Sequence, residues 1–431
     1  MALQPKSAEE QELIALAKRV LPGGTFGNFA ADVVIREGRG GHVWDVSGNE
    51  YIDYLLGSGP MYIGHNHPKV TEAVLAQVPK GTTFFANNEH GIHLAAAIVD
   101  AVPCVEQVRF ASSGSEADLY AMRLARAFRK RSKIVKFEGG YHGMSDWGLM
   151  SLAPKRLANF PEAVPDSPGI PDALRGEVLV APYNDIDAAV RLIEARHDEI
   201  GGVILEPFQR LIPPKPGFLQ AIREVTARLG IPLIFDEVVT GFRFAYGGAQ
   251  AYYGVTPDIC TMGKIIGGGF PLAALGGRAD IMAQFDKALV GEDGFMTQIG
   301  TLSGNPVAAV AGLATMEVLR EPGAYDRVFA TGRTLMDGLG GLIAEAGIPA
   351  QVVGEPVLFD VVYASGDIRD YRSVVRQDTA MQKHVNGVMR ASGVLKGESK
   401  FYMSLAHTAA DVAKTLDAFR TAMKSLPAKA A

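Results

Sequence analysis

From residue 108 to residue 275 the chain alternates between two rhythms. Short apolar runs rich in β-branched and aromatic residues lie at 108–111, 134–137, 178–181, 202–206, 233–236, 259–262 and 272–275, and read as strands. Between them, apolar residues return every three or four positions; Ala117, Tyr120, Ala121, Leu124, Ala125 and Phe128 form one such helix face. Strands alternating with helices predict an α/β fold with a mostly parallel sheet, which binds ligands at the C-terminal ends of its strands. Upstream, an amphipathic helix is predicted over 9–20, followed by short strands broken at Gly38-Arg39-Gly40-Gly41 and Ser47-Gly48-Asn49. Downstream, an Ala-rich helix spans 307–319, and the pattern from about 310 onward suggests a second lobe. Pro154, Pro161, Pro165, Pro168 and Pro171 interrupt the stretch 150–171, an irregular segment that suits a lid and equally a plain surface excursion. The small-residue tail 427–431 is expected to be disordered.

Composition narrows the class. A chain of 431 residues suggests two or three domains, and 48% hydrophobic residues suffice for a sizeable core. A formal net charge of −5 leaves no basic footprint for nucleic acid. There is no apolar run of about 18 residues and no signal peptide, so neither a membrane span nor export is expected. Cys104 and Cys260 form no disulfide framework and are expected to be reduced, as in the cytoplasm.

The candidate chemistry lies where strands end. Lys264 follows the run 259–262 and precedes Gly267-Gly268-Gly269. A lysine at a strand end, away from bulk water, suits Schiff-base chemistry once its pKa is lowered, although it also suits a plain strand end before a loop. The run 231–235 ends in Asp236-Glu237, then Val238. A carboxylate there can hold a heterocycle nitrogen protonated, or simply cap a helix. Ser112-Ser113-Gly114-Ser115-Glu116 joins a strand to a helix, which makes an anion site and equally a capping box. Gly139-Gly140-Tyr141-His142-Gly143 offers an aromatic side chain to stack on a flat ring, opposite Val238, and equally suits a glycine turn beside a core tyrosine. Gly300-Thr301-Leu302-Ser303-Gly304 is a turn leading into a helix. Neither of the glycine-rich nucleotide fingerprints is present, and nothing calls for a metal.

These segments, in this order, resemble the class-III, fold-type I aminotransferases that use pyridoxal 5'-phosphate, and most closely their glutamate-1-semialdehyde 2,1-aminomutase-like subgroup. The shared wording runs from Leu21-Pro22-Gly23-Gly24 through Trp44-Asp45, Gly64-His65-Asn66-His67-Pro68 and Gly247-Gly248-Ala249-Gln250 to Ala406-His407-Thr408. The resemblance implies a large cofactor-binding domain over 61–310 with a mostly parallel seven-stranded sheet. It also implies an N-terminal segment over 1–60 that packs with a smaller α/β domain over 311–431. Lys264 and Asp236 then match the catalytic pair, the Schiff-base lysine and the partner of the pyridine nitrogen. Ser113, Gly114 and Ser115 match the phosphate cradle, and Tyr141 and Val238 the ring sandwich. His142 and Glu206 match neighbouring cofactor-side positions. Thr301 matches a phosphate contact lent by a second subunit, so a homodimer with shared active sites is implied. The stretch 150–171 resembles the subgroup's mobile lid.

Departures from the subgroup bear on the substrate. Its carboxylate-binding arginine is missing from Thr25-Phe26-Gly27-Asn28-Phe29-Ala30, and Ser58 stands in place of a tryptophan before Gly59-Pro60. Serine or lysine, in Glu398-Ser399-Lys400, replaces a glutamate near the final strand, and Phe208-Gln209-Arg210-Leu211-Ile212 shortens a glycine-containing loop. A guanidinium fork is not replaced casually at a carboxylate site. The reading is therefore an aminotransferase acting between an amine or amino acid and a keto acid or other carbonyl. Ser58, Arg210 and Lys396 are its candidate substrate contacts. An aminomutase or racemase on the same scaffold is the alternative, and a non-catalytic cofactor-binding protein has little need for both Lys264 and Asp236.

Overall fold

The computed structural model describes residues 3–27 and 29–426. The expectation of a disordered tail over 427–431 falls outside these residues, as does Asn28 of the arginine-less stretch. The chain forms two units: 1–68, 322–366 and 376–431 make one, and 69–321 with 367–375 make the other. The sequence places the boundaries near 60 and 310. The structure moves the second one because the helix Pro306–Leu319 is buried over nearly its whole circumference within the larger unit. Gly312 of this helix lies against the Ile266 carbonyl, so closely that a Cβ would be 2.0 Å from its oxygen.

The larger unit is built on a seven-stranded sheet. Its order is Gln107–Ala111, Ala273–Gly277, Ile259–Met262, Leu233–Glu237, Ile200–Leu205, Lys133–Phe137, Val178–Ala181. The last five strands are parallel, whereas Ala273–Gly277 runs antiparallel to both its neighbours. The central strands are buried at every position, as strands covered on both faces must be. Asp236 pairs in register with Thr261. The helix Gly114–Arg129 lays Ala121, Leu124 and Ala125 on Ile204, Ile234 and Ile259, which places its N-terminus at the strands' C-terminal ends.

The proline-rich excursion is a packed cover for the edge strand. Met150 and Ala163 are buried with Val178 and Val180, and the Val180 N–H donates to the Pro161 carbonyl at 3.0 Å. Capping an edge strand in this way removes a site for unwanted pairing. The returning segment 367–375 fastens the excursion: Arg372 makes two bonds to Glu138 at 2.7 and 3.0 Å, donates to the Ala158 carbonyl at 2.7 Å and lies over the Phe160 ring. Lys155, Arg156 and Leu157 form one exposed run of the excursion, and Pro168 and Gly169 another.

In the smaller unit, Ile35–Arg39, His42–Asp45 and Glu50–Asp53 form successive antiparallel pairs, and the third runs parallel to Val394–Leu395. A second sheet joins Gln351–Glu355, Leu358–Val362 and Phe401–Tyr402. Ser58 is exposed on a tight turn at φ 66. Lys396 is withdrawn as a substrate contact. Its ammonium is buried, bonds Asp360 at 2.9 Å, and also donates to Asn386 Oδ1 and the Gly397 carbonyl. A buried cation with all its donors engaged has nothing left for a substrate carboxylate. No helix of the described residues is long and apolar enough to cross a membrane.

His407 makes this unit sensitive to acid. Its Nε2 donates to the Asp53 carbonyl at 3.1 Å and its Nδ1 accepts from the Ser404 N–H at 3.2 Å. A second ring proton would face an N–H donor, and burial disfavours the charge, so the pKa falls from 6.5 to about 4. The folded pKa is depressed, so the unfolded chain takes up the proton first. The stabilisation is therefore full above the unfolded value of 6.5 and is lost as pH falls toward about 4. Over that window the loss amounts to roughly 3 kcal/mol. Urea midpoints measured against pH should show this acid limb in the parent and a flatter one in His407→Gln. Identical limbs would assign the acid sensitivity to other groups.

Candidate active site

Asp236 is the centre of a buried polar group at the strands' C-terminal ends. Its Oδ2 lies 2.8 Å from His142 Nδ1, and its Oδ1 accepts from the Val238 N–H at 3.1 Å. The Thr261 hydroxyl stands 3.4 Å from Asp236 Oδ1 and 2.6 Å from Asp118 Oδ1. Asp236, Asp118, Thr261 and His142 are each less than 5% exposed. Burial, and next to it the charge of Asp236, push the Asp118 carboxyl well above the usual range. His142 Nε2 is buried without a hydrogen-bond partner among the described residues.

The helix Gly114–Arg129 brings its positive end to this group. Ser113 caps it, accepting from the Glu116 N–H at 3.3 Å, while Glu116 Oε2 accepts from the Ser112 and Ser113 N–H groups. The capping box engages Ser113 and leaves the first-turn amides of Gly114 and Ser115 for an anion. Gly114 has to be glycine, since a Cβ would lie 2.9 Å from Val238 Cγ1. Val238 also sits beside Gly263, so one side chain separates the helix start from the lysine-bearing turn. Gly143 packs on Ser115 so tightly that a Cβ would meet its Cα at 2.5 Å, and Ser115 Oγ accepts from the Met144 N–H at 3.2 Å. These contacts tie the Tyr141-His142-Gly143 loop to the helix start.

Glu206, at the end of Ile200–Leu205, accepts from the Tyr141 N–H at 3.1 Å and so holds the tyrosine's backbone. Gln209 steadies the same loop by donating to the Glu138 carbonyl at 2.8 Å. Arg210 adopts φ 60 and carries its guanidinium 5.5 Å from the centroid of the Tyr141 ring. It is half-buried and has no carboxylate partner among the described residues. Burial raises the Tyr141 phenol, while Ser115 and the Arg210 charge oppose that rise.

Lys264 opens a tight turn, Lys264–Gly267, two residues beyond the ladder pair of Glu237 and Met262. It sits at φ 51, a strained conformation for a lysine. It is half-buried, and its ammonium has no hydrogen bond or ion pair among the described residues. Thr301 shares no hydrogen bond with this group and lies exposed on the turn before the helix Pro306–Leu319, which Asn305 caps.

The sequence reading brought Ser113, Gly114, Ser115, Tyr141, His142, Glu206, Asp236, Val238 and Arg210 to one end of one sheet. It overlooked Asp118 and the role of Thr261. The available signal for Asp118 was a carboxylate beside Ala117, on the apolar face of an otherwise well-patterned helix.

This donor set fits pyridoxal 5'-phosphate. A helix start with free amides suits the phosphate, an aromatic ring and a valine suit the two faces of a flat heterocycle, a buried carboxylate suits its nitrogen, and a free amine suits its carbonyl. Comparison with known proteins agrees. The sequence matches the class-III aminotransferase family over residues 27–428. An omega-transaminase from Sphaerobacter thermophilus is similar at 38% identity, with 98% of each chain covered and a TM-score of 0.92. A transaminase solved with PLP bound is similar at 29% identity, again with 98% of each chain covered and a TM-score of 0.89. A glutamate-1-semialdehyde aminomutase from Pseudomonas aeruginosa PAO1 shares the fold at 23% identity, with 96% and 94% covered and a TM-score of 0.86. The chain belongs to the class-III aminotransferases and is a PLP-dependent transaminase of fold type I.

Proposed function

We propose that this transaminase exchanges an amino group between a carboxylate-bearing amine and a keto acid, with Arg210 holding the carboxylate. The observation that supports this most is the half-buried Arg210 guanidinium beside Tyr141 with no acidic partner among the described residues. When bound, the cofactor supplies an electron sink and carries the amino group from one substrate to the other. Gly114 and Ser115 would hold its phosphate with backbone N–H groups and the Ser115 hydroxyl. Tyr141 and Val238 would sandwich its ring. Asp236, aligned by His142 and Val238, would keep the ring nitrogen protonated. Lys264 would tether the cofactor and move the substrate proton at its Nζ. Lys264 adopts φ 51, and the glycines that follow let the chain pack closely, since a Cβ on Gly268 would lie 2.4 Å from the Ala311 carbonyl oxygen. We further propose a homodimer in the cytoplasm, with Thr301 exposed on its turn to complete the partner's phosphate site. Two free, buried cysteines agree with a reducing compartment.

A panel of amines and keto acids, run on purified protein whose mass is measured by light scattering at the assay concentration, tests this reading. Amino transfer from a carboxylated amine to a keto acid by a dimer supports it. Isomerisation of a single amino compound without an acceptor would instead favour the aminomutase or racemase alternative. An active monomer removes the role of Thr301.

A further inference from the structure

The group around Asp236 contains a second carboxyl that the cofactor chemistry does not call for. Asp118 sits one turn into the helix Gly114–Arg129, is 1% exposed, and meets Asp236 both directly, carboxyl against carboxyl, and through the Thr261 hydroxyl that lies between them. Thr261 has a single hydrogen to give. Its oxygen is 2.6 Å from Asp118 and 3.4 Å from Asp236. If both carboxyls were ionised, that one hydrogen would serve one of them, and two buried negative charges would face each other across a hydroxyl. If Asp118 carries a proton, every position has an assignment: the Asp118 O–H donates to Thr261 Oγ1, the Thr261 O–H donates to Asp236 Oδ1, and His142 Nδ1–H donates to Asp236 Oδ2.

We propose that Asp118 is a positioning residue for Asp236: it holds a proton at neutral pH and, through Thr261, directs a hydrogen bond that keeps Asp236 ionised and oriented. This rests on the reading that Asp236 faces the cofactor nitrogen. The titratable groups around Asp118 agree with a neutral acid. Burial pushes its carboxyl up most, followed by Asp236 and then Glu206, against a smaller pull downward from the Thr261 hydroxyl. The cation on this side is Lys136, which is fully buried, donates to the Gly148 carbonyl at 2.7 Å, and is itself pulled down to about 7 by burial. Tyr141 also feels the Asp118 charge, while its N–H bonds Glu206, and His142 bonds Asp236. A protonated Asp118 adds no charge beside Asp236, which leaves one carboxylate to face a single protonated ring nitrogen. An asparagine reproduces the donor of a protonated acid, whereas an alanine does not.

Infrared spectra of the cofactor-free protein at neutral pH, taken as parent minus Asp118→Asn, should show the carbonyl band of a protonated, buried carboxylic acid. Cofactor affinity, followed by quenching of protein fluorescence, should fall about tenfold in Asp118→Ala and in Thr261→Val, and Asp118→Asn should restore most of that loss. The absence of an acid band assignable to Asp118 overturns the proposal, as does an asparagine variant as weak as the alanine variant. If Asp236→Asn weakens cofactor binding while Asp118→Ala does not, the proposal alone fails. If Asp236→Asn binds the cofactor as the parent does, the reading of Asp236 fails and the proposal with it.

Discussion

Lys264→Ala removes the visible absorbance band of protein purified with its cofactor and lowers turnover by roughly a thousandfold or more. Three observations set the size of this effect. The Lys264 ammonium has no partner among the described residues, so no structural bond is lost with it. Its φ of 51 is disfavoured for alanine as well as lysine, so the substitution leaves the local strain much as it was. Its turn follows directly on the strand that pairs with Asp236. Circular dichroism and cofactor content measured on the same preparation separate loss of chemistry from loss of fold. A variant that keeps the parent's visible band excludes Lys264 as the tethering amine. Asp236→Asn is the companion test. The amide keeps an oxygen to accept from His142 Nδ1 or the Val238 N–H, so the fold persists. The uncharged group cannot hold a protonated ring nitrogen, and the half-reaction rate falls by about a hundredfold or more.

Arg210→Ala produces the second large effect, and that effect is selective. A carboxylated amine and a carboxyl-free amine of similar size are compared in the same half-reaction. The carboxylated one loses about 2 kcal/mol of kcat/KM, roughly thirtyfold, and the other is little changed. The lower end of the range for a truncated charge pair applies because Arg210 is half-buried rather than fully desolvated. Arg210→Lys restores only part of the loss, since an ammonium cannot reproduce a planar two-point grip on a carboxylate. Equal losses for both amines would show that Arg210 supports the Tyr141 ring instead of the substrate. No loss for either would place the carboxylate elsewhere, or mean that the natural substrate has none.

Much of this site is visible in the chain because its parts are local. A strand that ends in Asp236, a cap followed by Gly114 and Ser115, and a lysine between a strand and a glycine run are short-range patterns. Their physical reasons lie within ten residues: a continuous apolar run, unpaired first-turn amides, and backbone freedom at glycine. The seven strands were legible for the same reason, since each is a compact apolar run, even where an end shifted by a residue or two, as with 202–206 against Ile200–Leu205.

What only the tertiary structure decided depends on residues far apart in sequence. Asp118, His142, Asp236 and Thr261 come from one helix, one loop and two strands, and no local pattern records that one hydroxyl lies between two carboxyls. Lys396 is a candidate substrate contact by sequence, but Asp360, 36 residues away, pairs with it in the buried interior. The sequence pattern puts the start of a second lobe near 310, inside the helix Pro306–Leu319; that helix is apolar on nearly every face, and periodicity cannot say which neighbours cover it. The segment 367–375 returns to the larger unit through Arg372 and Glu138, a pair 234 residues apart. Propensity and periodicity act over a turn or a strand, whereas the partner of a buried charge is chosen by packing of the whole chain; the sequence therefore marked which residues carry the chemistry, and the fold decided which groups hold them in place.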